Sequence, residues 1–315
     1  MLTTSVGRGL RAIVTHARAA AMLWFANLAL ASVALLPVWS WWTRTAMLPE
    51  TDPLLERFQV GIFRDLLIDG GGLAVGIILL TVIGLLIVAL PVSVFLAGGT
   101  LEVLVSEDGQ PFFQRFLRGG GHFFWRFLRL TIVGGVVMLM TVAIVAVAAN
   151  VVVRPLNRSN WPPGAFVALA IQAVAIGSVA MYFLLSLDYA RIQLALSDRS
   201  GVLRAWLAAL WLVGRHPLRT FGLAFVFAVL FGLAAAGYLF VIARIGTHTM
   251  NVILAGIAIQ QLFILIRACL RVGLLAGEME LYQWLRPATV PGGRFAPAVP
   301  RAPAADDPID LSLAQ

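Results

Sequence analysis

The sequence has no lysine, and all 23 of its basic residues are arginine. Lysine Schiff-base chemistry and the lysine-bearing phosphate loop of nucleotide hydrolases are therefore excluded. The bias itself reads as a GC-rich genome and carries no mechanism. Cysteine is nearly absent as well. Cys269 stands alone, so neither an intrachain disulfide nor a cysteine metal site can be built. Within an apolar run, its thiol is expected to be inert packing. Charge is scarce too, at 12% of residues where a soluble domain carries about a quarter. No G-x-S-x-G, H-E-x-x-H or dinucleotide fingerprint occurs. With no pair of carboxylates favoured by spacing for acid–base work, the reading is of a protein that is not an enzyme and holds no cofactor.

What the sequence does have is hydrocarbon. Sixty per cent of it is hydrophobic, gathered into six long runs. These are placed near Ala19–Trp42, Gly72–Ala97, Leu130–Val153, Phe166–Leu187, Thr220–Ile242 and Met250–Leu275. Each reaches the ~20 residues that cross a bilayer as a helix. An unsatisfied backbone is intolerable in lipid, so the fold class is an all-α polytopic membrane bundle. The first run is about 24 residues long, beyond a secretory h-region, and is read as a retained span. Trp24, Trp39, Trp41, Trp42, Trp125 and Trp161 lie near proposed span ends, where an amphipathic ring prefers to sit.

Arginine sets the orientation. Connections on one side carry only Arg44, Arg57, Arg64, Arg154, Arg158 and Arg244, and the other side carries the rest. By the positive-inside rule both termini are expected in the cytoplasm. The net charge of +8 is thus topological. The arginines form no dense tract with interleaved aromatics, which argues against nucleic acid as a partner.

Three short amphipathic segments precede the outgoing spans. One surrounds Leu10, Ile13 and Val14. The second sets Phe112, Phe113, Phe116 and Leu117 against Gln114, Arg115 and Arg118, and Gly119–Gly121 are expected to break it. The third carries Val202, Leu203, Trp206, Leu207, Leu210 and Trp211, with Ser200 as expected N-cap and Gly214 and Pro217 at the bend. The chain therefore reads as three units of elbow helix plus helical hairpin, repeated about an axis along the membrane normal. His16, His122 and His216 follow the elbows. Neighbouring Arg18, Arg126 and Arg215 oppose a bound cation, so interfacial anchoring is preferred to a metal site.

Two further segments complete the organisation. Leu55, Phe58, Ile62 and Leu66 recur at helical spacing within Leu54–Ile68, predicting an amphipathic helix on the outer interface. Beyond the six-helix domain of residues 1–286, residues 287–315 are rich in proline and alanine with an acidic tip. They are expected to form a disordered cytoplasmic tail.

Polar residues at membrane depth are few, and the sixth run holds most of them. Gln260, Arg267, Arg271 and Glu278 recur at spacings of seven, four and seven, on one helical face. Exposing Arg267 to lipid at mid-bilayer would cost at least ~2.5 kcal/mol, so this stripe is expected to turn inward. Asp188, ending the fourth run, is the expected counter-ion, with Arg191 one turn on and Glu102 as a second candidate partner. The cluster suits either a structural lock on the inner helix ends or a pocket for an anion or lipid headgroup. Small-residue pairs Gly72/Gly76, Ala173/Gly177 and Ala228/Gly232 permit close helix approach, and Pro91 is expected to kink the second span.

The stretch Asp188-Tyr189-Ala190-Arg191, the Arg215-His216-Pro217 bend and the segment Gln260–Tyr282 resemble bacterial six-span proteins. These in turn are similar to the membrane domain of some glycerophosphoryl diester phosphodiesterases. The resemblance implies architecture and a shared contact at Asp188 and Arg191, and no hydrolytic activity. The resulting expectation is a non-enzymatic scaffold or accessory subunit, contacting membrane lipids and a protein partner through its elbow helices or tail. The rival is a transporter or lipid-handling protein using Arg267 and Arg271.

Overall fold

The computed structural model describes residues 2–45, 73–106, 109–158, 163–197, 201–244 and 250–285. Among these the chain forms eight helices and no strand. They are α1 (Leu2–Thr15), α2 (Ala17–Thr45), α3 (Leu73–Val105), α4 (Phe112–Arg158), α5 (Gly164–Leu196), α6 (Val202–Arg215), α7 (Pro217–Arg244) and α8 (Met250–Leu285). Helices α3, α4, α5, α7 and α8 are each long and apolar enough to cross a membrane, and the bent pair α1–α2 brings the count to as many as six. The fold is an all-α polytopic membrane bundle. Long β-branched stretches such as those of α3 stay helical because a helix satisfies every backbone group within its own segment.

The punctuation is local. α6 starts after Gly201, whose extended backbone leaves the first turn uncapped by any side chain. Ser200, the expected cap, lies outside the described residues. His216 separates α6 from α7, and Pro217 opens α7 at the position where a missing N–H costs nothing. α1 meets α2 at a 72° bend centred on His16. The interfacial segment Leu54–Ile68 and the tail 287–315 also fall outside the described residues.

The structure corrects the expected break at Gly119–Gly121: α4 runs through it without interruption for 47 residues. At 1.5 Å per residue that is about 70 Å, more than twice the ~30 Å of hydrocarbon, so the second elbow is the leading part of one long helix. The glycines serve packing instead. A Cβ on Gly119 would lie 2.2 Å from the Glu102 Cβ, and one on Gly120 would lie 2.7 Å from the Phe95 ring. Opposite them, a Cβ on Gly98 would come within 3.0 Å of the Gly119 carbonyl oxygen. Absent side chains let α3 and α4 touch backbone to backbone.

A second seam of this kind joins α1 to α8. Gly9 would place a Cβ 2.6 Å from the Gly273 carbonyl oxygen, and Gly277 one 3.1 Å from that of Ser5. Ser5, Gly9 and Ala12 make the buried face of α1. The pairs expected to mediate close approach do not do so where described: Gly76, Gly177 and Gly232 have nothing within 4 Å of a Cβ. They lie on exposed stretches, where small size alone brings no neighbour.

The core sits at the arginine-rich end. Val94, Leu101, Phe123, Phe127, Leu130, Tyr189, Ile192, Leu194, Leu223 and Leu281 pack there in one continuous cluster. The Phe123 and Phe127 rings stack at 5.4 Å. α8 is the hub, touching α1, α2, α3, α5 and α7. Toward the other end the helices expose Leu80, Leu139, Ile144, Phe166, Val174 and Phe240. Apolar side chains left uncovered in such numbers match a hydrocarbon solvent.

Candidate functional site

Helices α3, α4, α5 and α8 extend by more than a turn beyond the apolar runs read from the sequence, and the extra turns hold the polar chemistry. α5 continues past Asp188 to Leu196, so Asp188 lies within the helix and Arg191 sits one turn further along it. α8 continues to Leu285, which carries Glu278 and Glu280 into the packed end. Each of the four buried carboxylates, Glu102, Asp188, Glu278 and Glu280, is at most 9% exposed.

Asp188 is the centre. Its Oδ1 accepts from Arg271 Nη2 at 2.8 Å and from Arg191 Nη1 at 3.1 Å. Arg191 Nη2 also donates to Thr131 Oγ1 at 3.0 Å. One carboxylate thereby ties α4, α5 and α8 together. Glu278 lies within electrostatic reach of Asp188 and of both arginines, without a hydrogen bond to any of them.

The expected polar stripe on α8 splits in two. Arg271 and Glu278 face protein, whereas Gln260 and Arg267 are exposed, and no described side chain pairs with Arg267. The four residues do share one face of α8. Its neighbours cover that face only at the packed end, which is why the inward turn expected of Arg267 and Gln260 does not occur. Gln261 makes the polar contact expected of its neighbour, accepting from Trp24 Nε1 at 3.2 Å. Glu102, the second expected partner of the stripe, is held by Arg118 Nη2 at 3.0 Å. A further ion pair, Arg8 with Glu280, joins α1 to α8, and Trp284 Nε1 donates to the same carboxyl at 3.0 Å.

In this region the buried Arg191 Nε has no hydrogen-bond partner, and two further buried groups have none at all. Neither oxygen of Glu278 is bonded, and the Tyr189 hydroxyl is equally alone, at 1% and 0% residue exposure. Both belong to the surroundings of Asp188. Sequence reasoning placed Glu278 on the correct face and missed Tyr189, whose position next to Asp188 was the available signal. Arg271 leaves 40% of its side chain exposed, so the cluster is reachable from one side.

Two recesses lie at the elbow bends, and neither is lined by Asp188, Arg267 or Arg271. The larger, about 680 Å³, is formed by Tyr182 of α5 and by Leu207, Leu210, Trp211, Gly214 and Arg215 of α6. The Tyr182 hydroxyl donates to the Leu210 carbonyl at 2.9 Å and pins the elbow to the span. The histidines are spread over three places: His16 at the α1–α2 bend, His122 within α4 against the Phe123 ring, and His216 between α6 and α7. Among the described residues, no three of His, Cys, Asp or Glu converge in a way that would hold a metal. Cys269 is partly buried beside Ala19, Ala20 and Val272. No family model, curated protein or solved structure matches the chain.

Proposed function

We propose that the protein is a non-enzymatic scaffold or accessory subunit of the bacterial cytoplasmic membrane, with both termini in the cytoplasm. The observation that carries this reading is the two-faced elbow α6. It buries Ala205, Trp206, Ala209 and Val213 against the bundle while leaving Leu203, Leu207 and Trp211 exposed. An amphipathic helix fixed at the bilayer surface with its second apolar face free is suited to lipid and to a partner helix. The contacts of Asp188 point the same way, because Arg191 and Arg271 are engaged in joining helices. The resemblance to a membrane domain that does not itself hydrolyse phosphodiesters agrees with a supporting role.

The test is purification in native-lipid discs followed by mass determination. The scaffold reading expects a second protein in fixed stoichiometry, retained by the native chain and lost on Leu207→Asp or Trp211→Asp. A single chain in every preparation would overturn it.

A second reading, lipid handling at Arg267 and Arg271, is favoured by one specific arrangement. Arg267 is exposed on an apolar stretch of α8, one turn from a partly exposed Arg271. Movement of a labelled phospholipid between leaflets of proteoliposomes, abolished by Arg267→Leu, would establish this reading in place of the first.

A further inference from the structure

A second polar recess occupies the arginine-rich end, at the opposite elbow from α6. Thr15, His16 and Arg18 at the α1–α2 bend, with Phe112 and Arg115 at the start of α4, line a cavity of about 360 Å³. Every ionisable side chain in its lining is basic. Among the described residues, neither Arg18 nor Arg115 pairs with a carboxylate. Glu102, adjacent to the lining residue Val103, is engaged by Arg118. Arg115 is fixed in place by donating Nη1 to the Ser106 carbonyl at 2.7 Å, while its Nε has no partner. His16 is half-buried with Nδ1 2.8 Å from Thr15 Oγ1.

Two guanidiniums converging without an acid, beside an imidazole, form an uncompensated positive pocket. Such a pocket selects an anion with several acceptor oxygens, and guanidinium matches phosphate in particular. Its depth in the membrane agrees. The 72° bend sets α1 near the plane of the bilayer when α2 crosses it, which puts the cavity at headgroup level. Phe112 and Val14 add apolar lining beside the charges, as the acyl chains of a lipid require.

We propose that the His16–Arg18–Arg115 recess binds a phosphate oxyanion, as presented by an anionic phospholipid headgroup or by free phosphate. The site stands whichever partner the elbow helices hold, and it is separate from Arg267 and Arg271.

The experiment uses the full chain in phosphatidylcholine nanodiscs. Binding of phosphatidylglycerol is followed by native mass spectrometry, and inorganic phosphate is titrated in a parallel series. Arg18→Gln and Arg115→Gln are each expected to weaken binding about fivefold, taking the usual contribution of one basic side chain at a membrane surface. Arg204→Gln, which removes an exposed arginine on α6, is expected to leave binding unchanged. Arg115→Gln also removes the bond to Ser106, so the exposed Arg18 decides the outcome if that variant unfolds. Displacement of the lipid by inorganic phosphate with the same arginine dependence identifies free phosphate as the ligand. Failure of phosphate to compete identifies the lipid. Binding of neither probe, or equal losses with Arg204→Gln and Arg18→Gln, overturns the proposal.

Discussion

Replacing Asp188 with asparagine keeps the shape of the side chain and removes the negative charge on which Arg191 and Arg271 converge. Asp188 is 6% exposed, and its two arginine contacts are 2.8 and 3.1 Å long. Breaking a buried ion pair by deleting one partner costs about 3–5 kcal/mol, mostly because the surviving charge stays buried. The two survivors are unequal here. The Arg191 side chain is 14% exposed and Arg271 40%, so Arg271 can swing outward while Arg191 keeps its bond to Thr131 but loses its counter-charge. That relief, with the neutral amide oxygen at 188 still accepting from Arg191, places the expected loss near the lower figure, about 3 kcal/mol. Removing Arg271 instead leaves Asp188 still paired with Arg191, so Arg271→Met is expected to cost less than Asp188→Asn. A triple replacement by apolar residues of similar volume at 188, 191 and 271 should recover much of the loss, because the penalty comes from unpaired charge. The assay is reversible unfolding of the purified protein in mixed micelles, followed by helical signal. A loss under about 0.5 kcal/mol for Asp188→Asn, or a larger loss for Arg271→Met, refutes the idea that this carboxylate joins three helices.

Other outcomes follow from the packing and the titrating groups. Gly119→Ala forces a Cβ to 2.2 Å from Glu102 and is expected to destabilise by about 1–3 kcal/mol. Gly177→Ala meets nothing within 4 Å and is expected to be neutral or stabilising by up to about 1 kcal/mol; parallel unfolding curves compare the two. Burial holds the His16 imidazole below its ordinary value of 6.5, and the Arg115 charge adds to this against the opposing Ala12 carbonyl. The folded protein therefore resists protonation there. Its stability contribution is full above pH 6.5 and is lost as pH falls through the lowered folded value, because the unfolded chain takes up the proton first. His16→Gln is expected to flatten that slope in thermal unfolding measured across pH 5 to 7.5, and an unchanged slope would contradict it.

The apolar runs were legible because length and hydropathy are enough to identify a membrane helix. Their inner limits were not, since the added turns of α3, α5 and α8 contain polar residues that hydropathy reads as loop. Packing against neighbouring helices carries those turns onward. Asp188, Arg191 and Arg271 were foreseeable from charge at depth combined with helical spacing. The exposure of Arg267 and Gln260 was not, because spacing fixes the face of α8 and says nothing about how far along it a neighbour extends. Gly119–Gly121 shows a similar ambiguity. Glycine marks both helix ends and close helix contacts, and only the opposing Gly98 on α3 decides between them. The basic recess of His16, Arg18 and Arg115 joins residues far apart in sequence and had no local signature.

The most direct test of the account is the sidedness of the arginine-rich end. In a chain with Cys269 replaced by serine, single cysteines at Gln110, Pro163 and Arg204 are probed in spheroplasts with a membrane-impermeant maleimide. Labelling of the Pro163 position alone, with the other two reacting only after lysis, is the predicted result. Labelling of Gln110 and Arg204 on opposite sides of the bilayer would contradict the fold's placement in the membrane.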